Sequence, residues 1–390
     1  MTKLNIAVVN HQVEIGGAEV ALLRLAEALR GRHDLSVFLP GDGPLPDALC
    51  DLGVGVARVH VPGGSLAARR NNSAGLLLRV LVDGPRWRRT LGVLAEKLTK
   101  ADVVVTGSTK AHLYGGWAAR RAGRPLIWWL HDTVDRTSFG RLSRSLIRAG
   151  ARRLPDRILA VSRTSASSLQ LPRADSRLRV VYNGIEPVGA GRDTAGAFRS
   201  GCPRVGWIGR LIPSKGPEAF LEASARVAGR IPDVSFLVVG GGDSRDSGYG
   251  ARLETMAGDS GMSDRVEFAG FRPDLEGVFR SLDVLVFTSV ASESLPNVVL
   301  EAMANGVPVV AFSGGGVDEI AGDSGGVLRV PPGDVDALAE AVSGLLERAQ
   351  ERRDLALRGA ARIRETFGWN RWVDAWEREL VTLVAERESR

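Results

Sequence analysis

"DVLVFTSVASESLPNVVLEAMANGVPVVAF", residues 283–312, reads as a strand, a loop, a helix and a second strand. The opening run is apolar and rich in β-branched residues, with "VPVVAF" repeating the pattern, as expected of strands buried on both faces. Pro296 suits the first turn of the helix between them. Strand, helix and strand in this order form a crossover unit of a parallel sheet. Two glutamates, Glu293 and Glu301, stand eight residues apart around that proline. Glu293 lies in the loop at the helix mouth, and Glu301 lies more than a turn inside. Taken alone, a solvated acidic pair accounts for them equally well.

The same alternation extends in both directions. Upstream, "LNIAVVN", "DLSVFLP", "VGVARVHV", "ADVVVTGS", "RPLIWWLH", "RILAVS" and "LRVVYNG" read as strands, with helical patterns such as "AEVALLRLAEALRGR" between them. A second series restarts at "PRVGWIG" and continues through "VSFLVVGGG" and "RVEFAG" to the opening stretch. This is an α/β pattern of parallel sheets with helices on both faces, given twice, and it predicts two Rossmann-like domains. The expected division is residues 1–185, a Gly-rich polar linker at 186–202, a second domain at 203–367, and a terminal helix at 368–390. In that helix Trp369, Trp372 and Trp376 recur at three and four residues, which places three indoles on one face for packing. The helix is expected to cross back to the first domain.

Bulk composition narrows the function classes. At 390 residues the chain suits two domains. Its 44% apolar and 25% charged residues are those of an ordinary soluble protein. Two cysteines make no disulfide framework and point to a reducing compartment. The N-terminus has too short an apolar run for a signal peptide, and no apolar run is long enough to span a bilayer. A cytoplasmic location is therefore expected. The net charge of +6 is compatible with a phosphorylated ligand or an anionic membrane surface. Aromatics are few and not interleaved with the arginines, so nucleic acid is not expected.

In open α/β sheets ligands bind beyond the carboxyl ends of the strands. Gly16 and Gly17 follow the first strand and open a helix, which suits either an anion at the helix N-terminus or merely a tight turn. In "WIGRLIPSKGPEAF", Arg210 ends a strand and Lys215 precedes Gly216-Pro217 at a helix start. Two cations there suit a diphosphate, although the P-loop spacing is missing. Gly240, Gly241 and Gly242 follow the next strand, but the fingerprint of NAD-binding folds fails at Arg245; a close approach by a ligand or a neighbouring loop fits them. Gly314, Gly315 and Gly316 form a further glycine loop, suited to presenting N–H donors to a phosphate or carboxylate. His131 ends the strand "RPLIWWLH" and serves equally well as a structural hydrogen bonder or an active-site group. Asp132 beside it does not make a metal site, since further ligands are missing.

Together these stretches resemble the retaining glycosyltransferases of the GT-B fold, family 4 type. The resemblance covers nearly the whole chain. It rests on Gly16, Gly17 and Glu19; on the arm from Gly209 to Gly216; on Glu293 with Glu301; and on "VVYNGIE" at 180–186. It implies two domains facing across a cleft and transfer of a hexosyl unit from a nucleotide-diphosphate sugar, a UDP- or GDP-sugar, to a hydroxyl, in cell-surface polysaccharide, glycolipid or glycoconjugate synthesis. No metal or other cofactor is implied. Arg210 and Lys215 would hold the diphosphate, and Glu301 the ribose hydroxyls. Glu293, with Ser294, Leu295 and "SGGG", would border the hexose, while Phe271 and Arg272 would border the nucleobase. Gly16 and Gly17 would approach the diphosphate and His131 the transferred sugar. The residue after the first glutamate is often Gly in that family and is Ser294 here, a mild restriction of the loop.

The acceptor, whether glycan, lipid-linked or small, is expected to be read by residues 60–90 and 133–155. A nucleotide-sugar epimerase of the same fold and a catalytically silent sugar-nucleotide binder are the rival readings. Residues 136–157 hold seven arginines against one acid, with Phe139, Leu142, Leu146 and Ile147 on an apolar side. This is the pattern of an interfacial helix on anionic lipid, or equally of an arginine-rich solvated face.

Overall fold

The computed structural model describes residues 3–62, 84–186, 202–242, 246, 248–272 and 274–389. The chain divides into two compact units, Met1–Asn183 with Asn370–Arg390, and Gly184–Trp369. The expected linker and much of the expected acceptor-reading segment at 60–90 lie outside the described residues.

The first unit carries seven strands: β1 (Asn5–Val9), β2 (Asp34–Leu39), β3 (Gly55–Arg58), β4 (Val103–Thr106), β5 (Leu126–Leu130), β6 (Arg157–Ala160) and β7 (Leu178–Val180). They lie in the order β3-β2-β1-β4-β5-β6-β7, every pair parallel. The central strands are apolar throughout because helices cover both faces; "VVVT" of β4 and "LIWWL" of β5 are wholly buried.

The second unit carries β8 (Arg204–Ile208), β9 (Ser235–Val239), β10 (Val266–Gly270), β11 (Val284–Phe287), β12 (Val309–Phe312) and β13 (Leu328–Val330), in the order β10-β9-β8-β11-β12-β13, again parallel. In each sheet the strand order reverses once. The crevice at that reversal, beyond β1 and β4 in one unit and β8 and β11 in the other, is where such sheets take ligands. Pro296 sits one residue ahead of its helix, Asn297–Ala304, as the N-cap.

The terminal helix, Trp369–Glu388, packs within the first unit. Trp376 is fully buried and meets Trp129 edge-on at 4.8 Å between ring centroids. His33 accepts from the Leu4 N–H at 3.1 Å through Nδ1, so its Nε2–H donates to Glu377 at 2.9 Å. Arg157 holds Glu379 and Glu386, each at 3.1 Å. Within the second unit the strand-like contacts of Ile185 with Phe367 and Trp369 clasp the two places where the chain enters and leaves.

The arginine-rich segment contains the helix Arg141–Arg153. Its apolar side is largely used by the core, because Phe139 and Ile147 are buried there and Leu142 is half-buried. Leu146 is exposed. Arg148 is committed as well, donating to the carbonyls of Val134 and Ser168 at 3.0 Å. Among the described residues no helix is long and apolar enough to cross a membrane.

Candidate functional site

In the second unit, the loops after β8 and β11 meet at the sheet's reversal. Pro213–Lys215 forms a single 3-10 turn, and Gly216 follows with φ +65°. A side chain at Gly216 would place its Cβ 2.2 Å from the Thr288 carbonyl oxygen, so only glycine lets the two loops approach. The approach is fixed by hydrogen bonds. Buried Thr288 donates to the Gly216 carbonyl at 2.7 Å and accepts from the Trp207 indole at 2.9 Å. The Ser214 carbonyl accepts from Val290 N–H at 3.1 Å and Ala291 N–H at 3.3 Å.

This scaffold sets the position of two charges that the sequence placed apart. The Lys215 ammonium lies 2.6 Å from Glu293 Oε1, which also accepts from the Ser289 hydroxyl at 2.7 Å. Both charged side chains are about one-fifth exposed, at 22% and 21%. Arg210 is exposed two residues past the end of β8, and among the described residues no ion pair engages it.

The glycine loop after β12 behaves differently from expectation. The Gly316 N–H is used on the Glu293 carbonyl at 2.8 Å, and the Val317 N–H on the Gly314 carbonyl at 3.2 Å. The Gly316 donor thus holds the Glu293 loop, and the Val317 donor closes the glycine turn itself. Gly240, after β9, passes close to the backbone of Gly209, so a neighbouring loop explains it. Glu301 is half-buried in its helix, Ser294 is half-buried and Leu295 buried. Phe271 is 67% exposed at the end of β10 and lies against Gly241, with exposed Arg272 next to it.

In the first unit the corresponding reversal gathers polar residues from three neighbouring strand ends. β1 delivers Asn10 and His11, β4 delivers Ser108 and Thr109, and β5 delivers His131 and Asp132. Glu19 is 6% exposed and accepts from the Gly16 N–H at 3.2 Å and from Asn10 at 3.3 Å. The Gly16 N–H is thereby engaged by the protein, while Gly17 is exposed. Burial pushes the Glu19 carboxyl above its ordinary range against these hydrogen bonds. His11 Nδ1 and the Ser108 hydroxyl are 2.6 Å apart, and Thr109 donates to Asp132.

His131 rests against Trp129, with ring centroids 4.3 Å apart, and its Nε2 finds no hydrogen-bond partner. Burial lowers it to about 4, although neighbouring Asp132 pulls the other way. The ring is therefore neutral near pH 7. Among the described residues no group of His, Cys, Asp and Glu is arranged to hold a metal ion. Asn10, His11, Ser108 and Thr109 escaped the sequence reading. Their signal was present in "VVNH" and "TGST", where an apolar strand ends directly in hydrogen-bonding side chains.

Two parallel sheets that each reverse strand order once, the second with a lysine–carboxylate pair in the loops at its reversal, make this a two-unit α/β protein of the doubly wound class. Comparison with known proteins gives the family. Residues 15–188 match the model of Glycosyltransferase Family 4, and residues 202–348 that of Glycosyl transferases group 1. The 2-deoxystreptamine N-acetyl-D-glucosaminyltransferase of Streptomyces fradiae is 32% identical over 372 residues, covering 87% of this chain and 84% of the relative. The D-inositol 3-phosphate glycosyltransferase of Salinispora tropica is 27% identical, covering 92% and 80%. The crystal structure of Anabaena HepE with UDP and glucose shares the fold, with a TM-score of 0.82 at 24% identity over 97% of this chain and 100% of that one. The chain belongs to the group 1, family 4 glycosyltransferases of GT-B type.

Proposed function

We propose that the protein transfers a hexosyl unit, with retention, from a UDP- or GDP-sugar to a hydroxyl of a polyhydroxylated acceptor. The observation that carries this reading is the pairing of Lys215 with Glu293 in the loops at the reversal of the second sheet, with exposed Arg210 following β8. Arg210 and Lys215 meet a diphosphate there. Glu301 accepts from the ribose hydroxyls, and Glu293, with Ser294 and Leu295, borders the hexose. Phe271 offers an exposed aromatic face to the base, beside Arg272. Gly16, Gly17 and His131 serve the reacting end of the donor.

Catalysis in this reading is positioning plus charge stabilisation. Negative charge grows on the diphosphate as the sugar leaves, and the two cations bind that state more tightly than the ground state. A donor phosphate oxygen accepts the proton of the incoming hydroxyl. No carboxylate pair at the spacings of glycoside hydrolases is required. The relatives act on an aminocyclitol and an inositol phosphate by their names, which favours a small polyol acceptor over a polymer.

A thermal-shift screen of UDP, GDP and their sugars, followed by product mass with acceptors, tests the reading. Absence of stabilisation by every nucleotide would sink it, and a rearranged sugar formed without acceptor would favour an epimerase. The reading places the enzyme in the cytoplasm. Peripheral contact with anionic lipid would rest on the arginines of 136–157 and on Leu146, since the other apolar residues serve the core. Equal liposome flotation with neutral and anionic lipid would end that part.

A further inference from the structure

Beyond the end of β3, the first unit holds a cavity of ≈ 440 Å³, within the range of small-molecule sites. Arg58, His60, Arg86, Arg89 and Lys97 line it, and among the described lining residues there is no acid. Arg86, Arg89, Val93 and Lys97 recur at three, four and four residues along the helix Gly84–Leu98, so they share one face. The Thr90 hydroxyl donates to the His60 carbonyl at 2.9 Å and pins this helix to the segment after β3. Arg58 is paired with Asp42, whereas among the described residues Arg89 and Lys97 have no ion-pair partner.

Arg86 and Arg89 are like charges one turn apart, which repel, and Lys97 stands two turns beyond Arg89 on the same face. Concentrating cations around a concavity costs stability unless an anion occupies it. The cavity starts where β3 ends, at Arg58–His60, and runs along the helix to Lys97, which also lines a pocket with Asn5 and Asp34 at the starts of β1 and β2. β3 is two strands from β1, whose end carries Asn10 and His11, roughly 10 Å at ordinary strand spacing.

We propose that this cavity binds the anionic group, a phosphate or carboxylate, of the acceptor. The acceptor part rests on the transferase reading; anion capture does not, and is tested without turnover. The second unit would also attract phosphate, so UDP is held at saturation throughout. Calorimetry then compares glucose 6-phosphate with glucose, and flotation compares phosphatidylglycerol with phosphatidylcholine vesicles, on wild type and Arg89→Ala/Lys97→Ala.

Glucose 6-phosphate should bind wild type, glucose should not, and the double variant should lose about tenfold or more in affinity. Unchanged UDP affinity in the variant shows that it is folded. If only phosphatidylglycerol vesicles are held, and the variant releases them, the anion is a lipid headgroup rather than a soluble phosphate. Equal binding of every anion by wild type and variant, or no anion binding by wild type, overturns the proposal. Failure of UDP itself to bind would remove the transferase reading while leaving the anion comparison valid in UDP-free buffer.

Discussion

The Lys215 ammonium and the Glu293 carboxylate lie 2.6 Å apart, although 78 residues separate them in sequence. Each is thus satisfied by the other before any donor arrives. A diphosphate must share or displace Glu293 to reach Lys215. Replacing Glu293 by Gln frees the ammonium, and an ion pair that still reaches solvent is worth about 0.2–1 kcal/mol. Glu293→Gln should therefore bind UDP as tightly as wild type or a few-fold more tightly, yet transfer more slowly. Glu301→Ala should weaken UDP by about 1–3 kcal/mol, as expected for a lost hydrogen bond to a charged group. Calorimetry with UDP on both variants checks this. Equal losses would show that the two carboxylates have been given the wrong roles.

Gly216→Ala should cost both stability and donor affinity. Its φ of +65° disfavours a side chain by about 1–2 kcal/mol, and the added Cβ would meet the Thr288 carbonyl at 2.2 Å. The loops after β8 and β11 must then separate, carrying Lys215 away from Glu293. Thr288→Val, which keeps the shape but loses two buried hydrogen bonds, should reproduce part of the effect. Urea midpoints and UDP affinities on both variants decide it; an unchanged affinity in Gly216→Ala would mean that the loop contact does not set the site.

The strand pattern was legible because burial on both faces leaves little freedom in residue type; "VVVT", "LIWWL" and "VLVF" are strands for that reason. β13, only Leu328–Val330 and partly exposed, offers no apolar run and went unread. Arg210, Lys215 and Glu293 stood out as strand-end charges, but their mutual bonding did not. It depends on Thr288 and Gly216 bringing two loops together across a register no local pattern encodes. At the glycines 314–316 the same limit applied to one donor. Sequence shows that donors are present, whereas only the fold shows that the Gly316 N–H is already engaged.

Transfer should survive EDTA. In the proposed reading two side-chain cations, Arg210 and Lys215, take the diphosphate's charge in place of a divalent ion. Initial rates with and without chelator give the answer. Loss of activity restored by manganese or magnesium would show that these cations are insufficient.

The terminal helix should be essential to the first unit alone. Trp376 is fully buried against Trp129, and removing an indole of this kind costs about 3–5 kcal/mol. In Trp376→Ala, amide exchange should accelerate in β1 and β5 while β8 and β11 keep their protection. Uniform acceleration in both sheets would show that the helix stabilises the whole chain instead. Trp129 also touches His131, so the variant should lower turnover more than it weakens UDP.

Acid should destabilise the first unit through its buried imidazoles. Burial lowers His112 to about 3, where its ring stacks on Trp128 at 4.7 Å and its Nδ1 lies 2.8 Å from the Thr106 hydroxyl. His131 is lowered to about 4. An unfolded histidine takes its proton near pH 6.5, while these folded rings refuse it until far lower pH. The unfolded state therefore binds more protons between those values. Stability contributed by the neutral rings is complete above about pH 6.5 and is lost as pH falls toward 4, with a slope of about 1.4 kcal/mol per unit for each ring. Glu19, raised by burial, runs the other way, its cost growing as pH rises above the ordinary carboxyl range. Urea midpoints from pH 4 to 8 should fall on the acid side for wild type. His112→Gln should start lower but follow a flatter curve by about one proton's slope, since glutamine does not titrate. Parallel curves for the two proteins would mean that His112 is already protonated in the folded state.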